Sequence, residues 1–539
     1  MNAASNRLPH AGEHGGDPEA NGFTSSSSSL SSLSGSDEPA DLKGKMKGSV
    51  PKIVDRLGFG WAQILILLFG PAGLFFFEGI ETGLNSSLTL TLSNDFSLGP
   101  NLRAFLMSTF ALGAVVGTSL GAAGDVLGRR VLVLLCYAGL GLSGMAASIA
   151  PNIMFLLLTR FLMGIFMFLG QAPSRVLMNE FSPKVWQVTL GTITQASFFL
   201  GAVIIMGMIC KIDPTLERLP WRQMMFAASV PALIFTFFAY YICRESPFFL
   251  AQQGRAACAL ESLQWIRSNN SEDASSITFK CTVATDGEDA DSSIATKLGR
   301  VWSSKYLATT ATLTFVATSH GLGVVTLGFV KPQILGEAST LPPAYQMMIV
   351  MSAGGLLSMA AGKITNYLQV RGALVTALLL MMISNGAFPV LGAMPLPRSA
   401  LCQVVFQINE ILAPLALQLN VLAFYQIGTE CYPTSLRSTA LSVIFGTQKI
   451  TLIFAPILFE NVRAAAGGRW SIWFYLVAGA YALSTMVMVA WLTITTAAGM
   501  SECEPIMSKR SSRLKSRQAA LTRPSTDAGY GAAAVDSLG

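Results

Sequence analysis

Twelve apolar stretches, each about as long as a bilayer is thick, recur between residues 61 and 496 and restrict the possible folds more than any other feature. About 20 helical residues, at ~1.5 Å each, cover the ~30 Å hydrocarbon core. Strand-like alternation is absent, and lipid tolerates only helices or closed barrels, so we predict helices. The predicted spans are 61–84, 103–123, 131–150, 153–178, 188–210, 222–242, 306–328, 345–361, 372–393, 400–428, 438–459 and 470–496.

The composition supports a membrane protein, since 52% of the residues are hydrophobic and only 12% are charged. A soluble globular chain is about a quarter charged. Six spans, a long polar stretch and six more spans is the layout of a transporter built from two pseudo-repeats. The predicted fold class is therefore an all-α membrane protein of twelve transmembrane helices in two six-helix bundles.

The basic residues predict the orientation. An even number of spans places both termini on one side, and the segments on that side hold 25 Lys and Arg residues, against eight in the opposite loops. Such an excess marks the cytoplasmic side, so we expect both termini in the cytoplasm, in the plasma membrane or an internal membrane. The net charge of +6 then reflects topology, and no nucleic-acid partner is expected.

Changes in composition divide the chain into five parts. We predict a disordered cytoplasmic N-terminal tail over 1–55, a six-helix bundle over 56–243, a cytoplasmic linker over 244–304, a second bundle over 305–497 and a basic disordered tail over 498–539. The linker contains apolar residues at helical spacing, which predicts an amphipathic helix. These residues are Leu250, Ala257, Leu260, Leu263 and Ile266.

Two corresponding inner loops carry similar polar residues. "GAAGDVLGRRVLVLL" (121–135) contains Asp125, Arg129 and Arg130, and "GKITNYLQVRGAL" (362–374) repeats the spacing with Asn366 and Arg371. One interpretation is a pair of short loops that obey the positive-inside rule. The other, which the repetition favours, is a conformational latch that bonds a neighbouring helix end in one state and releases it in another.

A second sequence motif also occurs twice. "NEFSPKVWQV" (179–188) and "TECYPTSLRS" (429–438) share an acid and a proline at equal spacing, with Glu180 in the first copy and Glu430 in the second. Arg437 stands in the second copy where the first has Gln187. The alternative to a gating role is that Pro433 merely ends one helix and Arg437 anchors the next.

Together with three further motifs, these stretches resemble the major facilitator superfamily of transporters over residues 55–496. "DRLGFGWAQ" (55–63) is similar to the entry sequence of the synaptic-vesicle-glycoprotein-like and organic-ion branch. "RESPFFLAQQGR" (244–255) is similar to the stretch after helix six of that branch and of the sugar porters. "TRFLMGIFMFLGQ" (159–171) is similar to the superfamily's helix-four motif.

The resemblance implies an inner-gate charge network in which Glu430 and Arg437 pair with the two inner loops. Asn366 stands where the family has a second aspartate, and Gln187 where it has an arginine, which implies a thinner network. Helix five lacks the Gly-Pro antiporter signature, and the Pro-Glu-Thr motif that closes the sugar porters is absent. These departures argue against a drug antiporter and against a hexose carrier.

The resemblance also implies a central cavity lined by helices one, four, seven and ten. Ionisable groups inside spans are costly, so they usually face a cavity or form pairs. The candidate substrate-binding or coupling residues are Glu78, Arg160, His320 and Glu410, with Lys449 of helix eleven. Their heights allow a Glu410–Lys449 pair. The alternatives are that Glu78 lies near the outer interface and that His320 is a hydrogen-bonded packing residue.

The implied function is transport of a small polar or charged organic solute by alternating access, with proton coupling left open. A sugar or inorganic-ion carrier of the same fold is one alternative, and a transport-incompetent receptor or scaffold is another. No phosphate-binding loop, nucleophile elbow or metal-ligand cluster is present in the sequence, so we predict no enzyme, cofactor or metal. The expected partners of this monomer are the solute and the lipid bilayer.

Overall fold

A computed structural model of the protein describes residues 45–121, 124–270, 276–279, 294–395, 399–432 and 434–497. Most of the predicted N-terminal tail, the whole C-terminal tail and the linker segment 280–293 lie outside the described residues. The side chains of Asp125, Asn366, Glu430 and Arg437 lie outside them as well.

Twelve helices within these ranges are long and apolar enough to cross a membrane, which confirms the predicted fold class. We number them spans 1 to 12. They are Trp61–Asp95, Pro100–Leu120, Arg129–Ser148, Ile153–Phe181, Gln187–Ile212, Trp221–Ile242, Leu307–Ala338, Pro343–Leu368, Val370–Gly392, Ala400–Glu430, Thr434–Ala465 and Ser471–Ala497.

The spans pack as two sets of six. Span 4 packs against spans 2 and 3, and span 1 against span 5, while in the second set span 9 packs against spans 10 and 12. Spans 2 and 5 of the first half contact spans 11 and 8 of the second. Because the spans alternate in direction, span 1 begins and span 12 ends on one face. We call it the linker face and the opposite one the distal face.

Spans 1 and 7 are each interrupted by a π-helical turn, near the linker face in span 1 and toward the distal face in span 7. Span 1 consists of Trp61–Leu67, a π-helical turn Leu68–Ala72 and Gly73–Asp95, and Gly70 leaves helical geometry beside Pro71. Proline cannot donate to the helical ladder, and a carbonyl freed in lipid needs another donor. Tyr137 Oη donates to the Gly70 carbonyl at 3.1 Å, so the kink keeps its hydrogen bonding. Span 7 has a π-helical turn at Thr326–Val330.

Short elements gather on the linker face. Helices Pro247–Gln252 and Ala256–Asn270 follow span 6, helix Ile294–Val301 precedes span 7, and strands Lys45–Gly48 and Ser276–Phe279 pair. The predicted tail boundary at residue 55 is too late, because Val50–Leu57 is a helix whose apolar residues are buried with the linker helices. Of the spaced apolar residues, Leu250, Leu263 and Ile266 are buried, whereas Ala257 is exposed.

Spans 1 and 7 extend well beyond their predicted ends at 84 and 328. Polar residues follow both positions, and such residues predict a loop. In the structure they continue the helices and are largely buried within the protein. Lys331, counted above among the outer-loop basic residues, is a buried residue of span 7.

Candidate functional site

Arg160 of span 4 is buried against span 1. Its guanidinium lies 3.9 Å from the carboxylate of Glu81 and donates to the side-chain oxygen of Asn85. Glu81 and Asn85 are one helical turn apart, so both face Arg160. Arg160 is 2% exposed, and a buried cation requires such neighbours because its desolvation is otherwise uncompensated.

Glu410 of span 10 forms the corresponding pair in the second half. Lys331 Nζ lies 2.6 Å from Glu410 Oε1, and it also lies 4.8 Å from the centre of the Phe388 ring. Glu410 is fully buried. The Glu410–Lys449 pair that the residue heights allow is therefore wrong. The sequence does not predict Lys331 as the partner of Glu410, because the predicted span 7 ends at residue 328, before Lys331.

The two buried pairs join equivalent helices with opposite polarity. In the first half the acid is on span 1 and the cation on span 4, whereas in the second half the cation is on span 7 and the acid on span 10. Each pair lies within its own half. Arg160 and Glu410, proposed together from the sequence as solute-binding residues, are thus each held separately.

The other three candidates come from both halves and interact electrostatically. Glu78 of span 1 accepts a hydrogen bond from Gln171 of span 4 at 2.6 Å. Lys449 of span 11 places its ammonium 3.9 Å from the centre of the Phe168 ring of span 4. The charge of Lys449 acts on both Glu78 and His320, so the structure brings these three residues into one electrostatic cluster.

A glycine contact holds spans 7 and 11 together at this level. A Cβ on Gly321 would lie 2.8 Å from Thr451 Cβ, closer than real Cβ atoms come, and 3.1 Å from the Gln448 carbonyl oxygen, which is a tight contact. Glycine therefore permits the close approach. His320 precedes Gly321 and Lys449 follows Gln448, so both residues lie at the level of this contact, and the charge of Lys449 acts on His320.

On the linker face, Glu245 organises the first inner loop. Its carboxylate accepts from the backbone amides of Arg129 and Arg130, each at 3.1 Å, and so caps the start of span 3. Carboxylates stabilise helix N-termini because free amides point there. Arg129 also lies 3.5 Å from Glu180, which belongs to the motif "NEFSPKVWQV", so the first copy of the repeated motif contacts this loop.

One further gating candidate, Arg371, and a tyrosine of the second repeated motif lie near aromatic rings. Arg371 lies 6.0 Å from the centre of the Trp491 ring. In "TECYPTSLRS", Tyr432 packs beside Tyr306, and its hydroxyl is 2.8 Å from Thr310 Oγ1. Burial raises the pKa of Tyr432 to about 12, so this hydroxyl stays neutral. The predicted pairing of Glu430 and Arg437 lies outside the described side chains.

The distal ends of the two halves are joined by an ion pair. Arg103, near the start of span 2, donates from Nε and Nη2 to Oε1 of Glu460 in span 11, at 2.9 and 2.7 Å. Ser108 Oγ also donates to the Ile453 carbonyl of span 11 at 2.6 Å. Glu460 is 3% exposed, so its carboxylate depends on Arg103 for compensation.

We therefore expect Glu460→Gln to loosen the distal ends of spans 2 and 11. Losing one partner of a partly buried pair costs about 1–3 kcal/mol, which allows these ends to open about tenfold more often. Hydrogen–deuterium exchange of peptides covering 100–108 and 453–462 measures the change. Arg469→Gln, an exposed change just beyond the end of span 11, is the control and should leave exchange unaltered. Equal protection in both variants would exclude a closing role for the pair.

Several of these residues escaped sequence reasoning. Glu81, Asn85 and Lys331 read as interface or loop residues, and Asn85-Ser86-Ser87 reads as a glycosylation sequon on an outer loop. In the structure it lies within span 1, where Ser86 and Ser87 are buried. Gln171 and Glu245 lie inside two of the motifs that resemble the family, and a polar side chain within such a motif is the signal that could have identified them. The described residues contain no group of three His, Cys, Asp or Glu side chains able to hold a metal ion.

Twelve spanning helices, two facing six-helix sets and ionisable side chains between them define a membrane protein of the major facilitator class. The chain matches the family described as "Sugar (and other) transporter" over residues 101–502, and it belongs to that family.

Individual relatives are distant. The chain is 25% identical over 387 residues to "Solute carrier family 22 member 3" of Mus musculus, covering 70% of this chain and 64% of the mouse protein. It is 26% identical over 392 residues to "Organic cation/carnitine transporter 3" of Arabidopsis thaliana, covering 70% and 69% of the two chains. The match thus spans a little under two thirds of the mouse relative.

The fold is also similar to solved structures. The E. coli xylose transporter XylE, in a partially occluded inward-open conformation, aligns with a TM-score of 0.62 at 18% identity. This alignment covers 80% of this chain and 98% of XylE, so the likeness extends over nearly the whole of the bacterial fold.

Proposed function

We propose that this protein is a carrier that moves a small polar or charged organic solute across a membrane by alternating access. The observation that carries the proposal is the contact between Lys449 of the second half and the Phe168 ring of the first, together with the action of the Lys449 charge on Glu78 and His320. A solute bound there touches both halves at once. Its binding energy can then differ between the two arrangements of the halves, as alternating access requires.

The two faces have different roles in this proposal. Arg103 and Glu460 hold the distal face closed, which matches the inward-open conformation named for the XylE neighbour. The linker face carries the gate, formed by Asp125, Arg129, Arg130, Glu180, Asn366, Arg371, Glu430 and Arg437. We further propose that the termini are cytoplasmic and that the carrier acts as a monomer.

The test starts from ligand binding. A ligand that binds only the folded state stabilises it by about 2.7 kcal/mol at 100 times its Kd, so a thermal-shift screen reports binding. The screen covers amino acids, sugars, organic cations, organic anions and phosphate. A stabilising solute should then show saturable uptake into proteoliposomes. Binding without saturable uptake would instead support the receptor or scaffold alternative.

We also propose Glu81 as the site of proton coupling. Its carboxylate is 4% exposed and lies 3.9 Å from Arg160, a separation at which neutralising the acid would free Arg160 to move. One matched relative is named as a proton symporter, the "Arabinose-proton symporter" of Bacillus subtilis, 25% identical over 210 residues. Those residues are 38% of this chain and 45% of that protein.

Glu81→Gln should accordingly uncouple transport from the proton gradient. The neutral amide cannot release or take up the proton, so accumulation driven by an imposed pH gradient should fall at least tenfold, while solute exchange at equal pH persists. Glu217→Gln, an exposed acid on the distal face, is the matched control. Undiminished pH-driven accumulation in Glu81→Gln would rule out this site.

A further inference from the structure

Most carboxylates of the described spans already have a partner. Glu81 faces Arg160, Glu410 binds Lys331, and Glu460 binds Arg103. Glu78 accepts a hydrogen bond from Gln171, and the charges of Lys449 and Arg175 also act on it. A solute with a positive charge would therefore find no uncompensated acid among these four.

Lys449 differs from the other cations discussed. Among the described residues no carboxylate lies within 4.0 Å of its ammonium, which lies over the face of the Phe168 ring. A cation held over a ring gains only ~0.5–2 kcal/mol, less than a desolvated ammonium loses. Lys449 thus retains the capacity to bind an anion.

Buried polar atoms around His320, on which the charge of Lys449 acts, also lack partners. Asn420 of span 10 is fully buried and hydrogen-bonds His320, and its amide nitrogen has no hydrogen-bond partner among the described residues. The same holds for Nδ1 of His320, which is 3% exposed and close to Asn420. Buried polar groups are normally satisfied, so unmet donors and acceptors here point to a polar ligand.

We propose that the central site selects an organic anion with an aromatic or other flat apolar body. This inference rests on the proposed carrier function and specifies its substrate class. The carboxylate binds Lys449 Nζ and the Asn420 amide, while the apolar body packs on Phe168. Two cations, Lys449 and Arg175, act on the single carboxylate of Glu78, so an ammonium or guanidinium solute would add to an excess of positive charge, which costs rather than gains energy.

The proposed anionic substrate differs from the substrates for which some relatives are named, since these include organic cation and sugar transporters. Those names describe other chains, none of them more than 30% identical to this one among the relatives compared. The charge of the central residues, rather than overall similarity, determines which ion the site accepts.

Three probes of nearly equal shape test the charge preference: benzoate, benzamide and benzamidinium. In proteoliposomes we expect saturable uptake of benzoate, at least tenfold above that of the neutral and cationic probes. Lys449→Gln should reduce benzoate uptake at least tenfold, whereas Lys449→Arg should preserve it. Lys363→Gln, an exposed change on span 8, is the matched control. Equal melting temperatures without ligand exclude misfolding of the variants.

The failures are distinguishable. Transport of a cation, a sugar or a neutral solute without benzoate would overturn the anion assignment and leave the carrier function standing. Benzoate uptake that is insensitive to Lys449→Gln would overturn it as well. Absence of saturable uptake for every solute class would overturn the proposed function itself.

Discussion

Glu410→Gln is expected to destabilise the protein by about 3–5 kcal/mol, because it leaves the Lys331 ammonium buried without a counter-ion. Lys331 Nζ lies 2.6 Å from Glu410 Oε1, and neither side chain is more than 6% exposed. Lys331→Met should cost a similar amount by stranding the carboxylate. The double variant Lys331→Met with Glu410→Gln removes both charges, so it should cost much less than the two single losses summed.

Thermal unfolding in detergent, analysed as a double-mutant cycle, measures this coupling. Glu337→Gln provides a control on the same helix, since that side chain is exposed and its loss should change stability by less than about 0.5 kcal/mol. Strictly additive losses in the cycle would show that Lys331 and Glu410 do not stabilise each other.

Gly201→Ala should also destabilise the protein, by about 1–3 kcal/mol, because spans 1 and 5 meet there with no space for a methyl group. A Cβ at Gly201 would overlap the Phe76 carbonyl oxygen, and one at Gly79 would overlap the Phe198 carbonyl oxygen. Both obstacles are backbone atoms, so no side chain can move aside. Gly79 lies two residues before Glu81, so separating spans 1 and 5 by Gly201→Ala should also change the distance between Glu81 and Arg160.

Gly207→Ala is the matched control, since it lies on span 5 but has no heavy atom within 4 Å of its added Cβ. There alanine should be neutral or stabilise by up to ~1 kcal/mol, because glycine disfavours helices. Melting temperatures of the two variants compare them directly. Equal melting temperatures would mean that spans 1 and 5 separate without cost.

Twelve spans could be predicted from the sequence because hydrocarbon imposes a fixed length and an internal hydrogen-bond requirement on each. The ends of spans 1 and 7 could not, since hydropathy does not distinguish residues buried in protein from residues in water. Asn85 and Lys331 are polar, yet they continue helices whose neighbours satisfy them.

The sequence predicts which ionisable residues are unusual better than it predicts which of them contact each other. The heights of Glu410 and Lys449 followed from helical rise, but their partners depend on how each helix is rotated about its axis. Composition selected Arg160, Glu78 and His320 as unusual residues, and rotation placed Arg160 against Glu81 while it turned Glu78 and His320 toward Lys449. Rotation comes from side-chain packing between helices, which apolar length alone does not encode.

The kink in span 1 determines where the first half can bend. Before the kink, Asn270 at the end of the linker helix accepts from the Ala62 amide and donates to Gln63, clamping the short segment to the linker. After it, glycine contacts lock the long segment to span 5. Any change of shape must therefore concentrate in Leu68–Ala72, where Gly70 has already left helical geometry. Span 1 is thus divided into two segments that follow different partners: the short one moves with the linker, and the long one, which carries Glu78 and Glu81, moves with span 5.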